Sequence, residues 1–263
     1  MRVPRSFVLP AVVVGILTAG VASAQEELTY GDYRAIAQTA ITLDHCAMFE
    51  PLEGDPGMLL AIGDKFGKVN VFRLNAGTAR ERVWASRQLD GNPEEVLVGD
   101  LNGDGLDDHL VCRTATRVYA FDLEQDYYNA YESQPNDFQQ VRAFTIANVD
   151  EDPQAEIVVM ADRKIHYIDG LGFTKEWTSL DNYEGTRLRC GDVDGDGRVE
   201  LVLNTGQVLD SGTGQVEWSD QVFGSRLELL DIDGDGIPEV LTEGDGTPLR
   251  VWDVDYKAEK RFQ

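Results

Sequence analysis

The stretch Arg226-Leu-Glu-Leu-Leu-Asp231-Ile-Asp233-Gly-Asp235-Gly236-Ile-Pro-Glu239-Val-Leu241 joins two short apolar runs through a loop with oxygen-bearing side chains at loop positions 1, 3, 5 and 9. The same pattern stands upstream in Asp100-Leu-Asn102-Gly-Asp104-Gly105-Leu106-Asp-Asp108, Asn148-Val-Asp150-Glu-Asp152-Pro153-Gln154-Ala-Glu156 and Asp192-Val-Asp194-Gly-Asp196-Gly197-Arg198-Val-Glu200. A hard divalent cation of calcium's size takes six to eight oxygens, and a short loop whose alternate side chains point inward can wrap them around it. Gly105, Gly197 and Gly236 allow a sharp bend at position 6. Position 7, which is Leu106, Gln154, Arg198 and Ile237 in the four loops, can then offer its backbone carbonyl. Carboxylates about 4–5 Å apart repel by about 1 kcal/mol per pair in water and several-fold more beside protein, so each cluster implies a bound cation.

The plainer reading is an acidic surface turn, because Asp, Asn and Gly favour turns for conformational reasons alone. Four copies in register favour metal. The expected ligands of up to four calcium ions are Asp100, Asn102, Asp104, Leu106 and Asp108; Asn148, Asp150, Asp152, Gln154 and Glu156; Asp192, Asp194, Asp196, Arg198 and Glu200; and Asp231, Asp233, Asp235, Ile237 and Glu239. The Asn148 loop departs most, with a neutral first residue and Pro153 in place of glycine. An EF-hand is excluded, since it needs a bidentate Glu at position 12, where this chain has Val111, Val159, Leu203 and Thr242. Each loop runs on into a short segment rich in Val, Ile and Leu, such as Ile157-Val-Val-Met160, which reads as a buried strand.

The loops begin at 100, 148, 192 and 231, spaced by 39 to 48 residues, and an aromatic at Trp84, Tyr131, Trp177 and Trp218 keeps a similar beat. Periods of this length denote stacked supersecondary units. Each unit reads as four strands; in one of them these are Glu95–Val98, Leu110–Cys112, Arg117–Phe121 and Ala130–Tyr131. Four antiparallel strands repeated radially describe an all-β propeller. Ile41–Phe49, Met58–Ile62, Lys68–Phe72 and Arg82–Trp84 make an earlier unit that keeps only Glu53 and Asp55 in its loop and is expected to lack metal. With Tyr256–Gln263 as the last outer strand, the count over residues 41–263 is five blades. They form either a closed ring or an arc of a larger propeller completed by self-association.

The segment from Phe223-Gly-Ser through Asp231-Ile-Asp233-Gly-Asp235-Gly to Glu239-Val-Leu resembles the FG-GAP repeat of integrin alpha-subunit propellers and of bacterial VCBS-type proteins, and the likeness covers roughly residues 41–263. The resemblance implies calcium held by these loops on one end of the ring. Two departures stand out: position 9 is Glu in three loops where the family usually has Asp, and the Gly-Ala-Pro element is missing.

Met1-Arg-Val-Pro-Arg5, the apolar run Phe7–Val21 and Ala22-Ser23-Ala24 read as a bacterial secretory signal over residues 1–24, cleaved before Gln25. The expectation is a secreted, periplasmic or cell-surface protein with no membrane anchor after cleavage. Residues 25–40 form an unassigned arm. A net charge of −24 argues against nucleic acid, whose phosphates need clustered Lys and Arg. Cys46, Cys112 and Cys190 are an odd number, so one at least is free or pairs between molecules, and they form no disulfide framework. Function then reads as a calcium-stabilised module that binds protein or glycan, with Gln125–Phe138 and its Tyr127 and Tyr128 a candidate surface. The aromatics of that stretch can equally fold back on the blade. The alternative is a polysaccharide lyase or hydrolase, or its accessory domain. No catalytic residue stands out, because His45, His109 and His166 are scattered and no GxSxG motif occurs. A structural part of a surface assembly is the third possibility.

Overall fold

The computed structural model describes residues 45–52, 57–74, 80–150, 152–244 and 248–260. They form five four-stranded antiparallel sheets, each a simple meander. Blade 1 comprises β1 (Cys46–Phe49), β2 (Met58–Gly63), β3 (Val69–Leu74) and β4 (Arg80–Ala85), and blade 2 comprises β5 (Glu95–Gly99), β6 (His109–Arg113), β7 (Val118–Asp122) and β8 (Tyr128–Glu132). Blade 3 runs β9 (Val141–Ala147), β10 (Glu156–Ala161), β11 (Lys164–Asp169) and β12 (Lys175–Thr178). Blade 4 has β13 (Leu188–Gly191), β14 (Glu200–Leu203), β15 (Gln207–Asp210) and β16 (Val216–Ser219), and blade 5 has β17 (Arg226–Leu230), β18 (Glu239–Glu243), β19 (Arg250–Asp253) and β20 (Ala258–Lys260). The expected signal, the arm, residues 41–44, the remnant acids Glu53 and Asp55, and residues 261–263 lie outside the described residues.

The first strand of each blade is innermost, and neighbouring blades meet as β1 with β5, β5 with β9, β9 with β13 and β13 with β17. The core lies between sheets. Because successive strand residues point to opposite faces, Ile157, Val159 and Ala161 of β10 pack against blade 2, whereas Val158 and Met160 pack against blade 4. All of β10 is therefore buried, which is why it reads as one continuous apolar run. Cys112 belongs to the core between blades 1 and 2, and Cys190 packs at the edge of the one between blades 3 and 4.

The aromatic beat sits on the outer strands and wedges the blades. Trp84 meets Phe121 edge-on at 5.1 Å and stacks on Tyr127 at 4.7 Å, Tyr131 stacks on Phe173 at 5.1 Å, and Trp218 packs between Phe223 and Trp252. Two residues past the aromatic, the hydroxyls of Ser86, Ser133 and Ser179 accept from the N–H of Val69, Val118 and Ile165 and close the outer hairpin.

An ionic network crosses the axis. Glu95 on β5, 1% exposed, accepts from Arg113 Nε at 3.0 Å and lies 3.4 Å from Arg189 Nη1 on β13, two blades away. Arg189 also grips Glu228 on β17 at 2.8 Å. Blades 2, 4 and 5 are thus tied through their innermost strands.

Candidate metal nests

The four acidic loops are the β5–β6, β9–β10, β13–β14 and β17–β18 connections, all between the first and second strands of a blade. Their backbone is built by the acids themselves. In three loops the position 1 carboxylate is shared by two glycine N–H groups: Asp100 accepts from Gly103 and Gly105, Asp192 from Gly195 and Gly197, and Asp231 from Gly234 and Gly236, at 2.6–3.1 Å. Those glycines all have φ between 76° and 95°, a region closed to most side chains. The position 5 acid accepts from the position 7 N–H in every loop, as Asp104 from Leu106, Asp152 from Gln154, Asp196 from Arg198 and Asp235 from Ile237. The Asn148 loop differs as its sequence requires: Asn148 donates through Nδ2 to the Asp152 carbonyl at 2.6 Å instead of accepting from glycine.

Position 9 has a role the spacing alone did not show. Glu156, Glu200 and Glu239 each reach back so that Oε2 accepts from the position 2 N–H of Val149, Val193 and Ile232 at 2.8–2.9 Å. Asp108, one methylene shorter, instead meets His109 Nδ1 at 2.5 Å and accepts from Asn102 Nδ2 at 2.9 Å. The substitution of Glu for Asp at position 9 thus adds a loop-closing bond. All four position 9 acids are buried.

At these loops the structure gathers carboxylates whose oxygens lie within 4.8 Å of one another: Asp104, Asp108 and Glu124; Asp150, Glu156 and Glu176; Asp192, Asp194 and Glu200; and Asp231, Asp233 and Glu239. The remaining expected acids, Asp100, Asp152, Asp196 and Asp235, hold loop backbone and stand outside these tight groups. Of the position 7 carbonyls, that of Leu106 accepts from Asp108 N–H at 2.9 Å. Glu124 and Glu176 were missed by the spacing, because they come from the outer hairpin of the blade, which ends beside the acidic loop. The one sequence signal for Glu176 was its place just before Trp177, which Glu217 repeats before Trp218.

The electrostatics are those of crowded anions. Burial, then Asp150 and Asp152, push the Glu156 carboxyl up to about 7, against a loop hydrogen bond that lowers it. Glu200 is pushed up to about 8 by burial and then Asp194, Asp192 and Asp196. Glu156 is completely buried, and its second oxygen, Oε1, has no hydrogen-bond partner. An ionised carboxylate is costly in such a place unless a cation neutralises it, and without one the group takes up a proton more readily. The all-oxygen donor set suits a hard ion, calcium before zinc or copper.

The other expected features fall elsewhere. His109 is engaged by Asp108, and His166 by Thr178 at 2.9 Å with Phe138 against its ring. In the candidate ligand surface Tyr127 folds back on Trp84, Tyr131 lies on Phe173 and Phe138 is buried, leaving Tyr128, 62% exposed, as the projecting ring.

No protein-family model matches the sequence, and no curated protein is similar to it. Solved structures match the fold. BBS1N, crystallised in complex with ARL6DN, superposes with a TM-score of 0.60 at 12% identity, covering 85% of this chain and 68% of that one. The WD40 domain of Toxoplasma gondii coronin gives 0.57 at 13% identity over 81% and 56%, and the V. cholerae biofilm matrix protein Bap1 gives 0.53 at 17% over 80% and 37%. At these identities the likeness is one of fold: the chain is an all-β propeller of five four-stranded blades, with acidic clusters able to hold metal ions at the loops between first and second strands.

Proposed function

We propose that this chain is an exported propeller of the FG-GAP or VCBS type, in which calcium held by the acidic nests is structural and the blade surfaces bind a protein or glycan partner. The observation that carries the cation reading is Glu156, whose buried second oxygen lacks a partner beside Asp150 and Glu176. Support for export comes from the charged head and apolar run of residues 1–24. The shared fold with a biofilm matrix protein supports an adhesive or interaction role outside the cell.

Extracellular calcium modules bind with Kd near 0.1–1 mM, so at about 1 mM calcium each site at the tight end adds about 1.4 kcal/mol. Three such nests together raise Tm by about 10 °C for a domain of this size. Thermal melts of the mature chain in EDTA and in calcium test this. A Tm that ignores chelation, together with no ion retained in millimolar calcium, removes the proposal. Partner capture from the native envelope with and without calcium, then incubation with a polysaccharide panel, separates retention from turnover.

A further inference from the structure

The fourth nest already contains a cation of the chain's own. Lys260, on β20, places Nζ 2.5 Å from Asp233 Oδ2 and 2.6 Å from Glu239 Oε1, with Asp253 Oδ2 at 3.6 Å. Asp233 and Glu239 are two of the three carboxylates gathered in that nest. The Lys260 side chain is 25% exposed, well covered for a residue that is ordinarily solvated. In blades 2 and 3 the outer hairpin delivers the opposite sign to the same place, Glu124 to the Asp104 and Asp108 pair and Glu176 to the Asp150 and Glu156 pair. An ammonium in hydrogen-bond contact with two carboxylates occupies their lone pairs, and a divalent ion entering beside it meets a like charge at close range.

We propose that Lys260 is a tethered cation that holds the blade 5 nest and must swing out before a divalent ion can enter. This inference rests on the cation-binding reading of the nests. It has two consequences. The fourth nest fills last, although its loop sequence is among the most complete. Its filling also detaches the Lys260 side chain from the β17–β18 loop, so the attachment of the outermost strand of blade 5 becomes sensitive to calcium. A site whose competent state is populated one-tenth of the time binds about tenfold more weakly than its open form.

The test is calcium titration of the full mature chain by calorimetry, with ions counted by native mass spectrometry, for wild type, Lys260→Met and Lys260→Arg. Lys260→Met is expected to tighten one site about tenfold, and the gain is expected to vanish when Asp233→Asn is added. Lys260→Arg, which keeps a cation at the nest, is expected to leave that site weak. In EDTA, Lys260→Met is expected to melt below wild type, with the gap closing in calcium. Should Lys260→Met fail to fold, Lys260→Gln keeps the reach and polarity without the charge and reports the same quantity. Unchanged affinities at every site, in a wild type that does bind ions, overturn the role of Lys260 and leave the cation reading standing. Absence of ions from wild type and from Lys260→Met alike overturns the cation reading and this inference with it.

Discussion

Replacing Glu156 by Gln deletes one buried charge while keeping an oxygen that can accept from Val149 N–H, and its effect on stability is expected to depend on calcium. In the metal-free chain the Glu156 carboxyl titrates at about 7 instead of the ordinary 4.5. Keeping it ionised in the fold therefore costs about 3 kcal/mol at the ceiling, since each tenfold change in proton affinity is about 1.4 kcal/mol. Relaxation of the surrounding loop trims that to about 1–2 kcal/mol. A carboxyl whose folded-state pKa is raised makes the fold less stable as pH climbs: the penalty is absent below about 4.5, grows through the interval, and is complete above about 7. Urea unfolding at pH 8 in EDTA should accordingly find Glu156→Gln more stable than wild type by about 1–2 kcal/mol. At pH 4.5 that advantage should shrink toward zero. In 1 mM calcium it should also disappear, because the ion stabilises wild type by about 1.4 kcal/mol at this nest and has lost a ligand in the variant. A variant destabilised equally in EDTA and calcium would refute the reasoning and reduce Glu156 to a backbone cap for Val149.

The axial network offers a second perturbation. Arg113→Met leaves the buried Glu95 with only the 3.4 Å contact to Arg189 and should cost about 3 kcal/mol in urea unfolding, much of it recovered by adding Glu95→Leu. Loop architecture separates two glycines with similar backbones: a Cβ on Gly103 would lie 2.3 Å from the Pro153 carbonyl oxygen, whereas one on Gly105 meets open space. Gly103→Ala should therefore cost about 3 kcal/mol and Gly105→Ala only about 1 kcal/mol, the strain of a left-handed alanine. Tyr127→Ala removes the stack on Trp84 and should lower stability by about 2 kcal/mol. Tyr128→Ala should change stability by less than about 0.5 kcal/mol, so a loss of partner retention in that variant alone would locate the binding face on this ring.

Much of the propeller was legible because its signals are local. Alternation within a strand, an acidic loop and an aromatic each recur within a few residues of fixed places, and the structure returns five meanders at those places. Several strand ends moved by one or two residues, as Ala130–Tyr131 extends to Tyr128–Glu132, whereas the first strand, expected from Ile41, begins at Cys46. The serines that close the outer hairpins lay in plain sight beside the aromatics, but a hydroxyl two residues past a tryptophan has no meaning until the neighbouring strand is placed opposite it. The nests were legible in kind and not in membership. Their loop acids are set by spacing, whereas Glu124, Glu176 and Lys260 arrive from a different hairpin.

The residues in order were enough to specify the repeat, the strand pattern, the count of blades and an oxygen-rich loop on four of them, because each is decided by interactions over a few positions. Which carboxylates stand within reach of one another, why position 9 is Glu, and which nest holds an ammonium depended on folding. Lys260 and Glu239 are 21 residues apart in the chain, and Arg189 and Glu95 are 94 apart. Contacts over such separations have no local signature: they exist because antiparallel hairpins bring the two ends of a blade together and because the blades turn their first strands toward one axis.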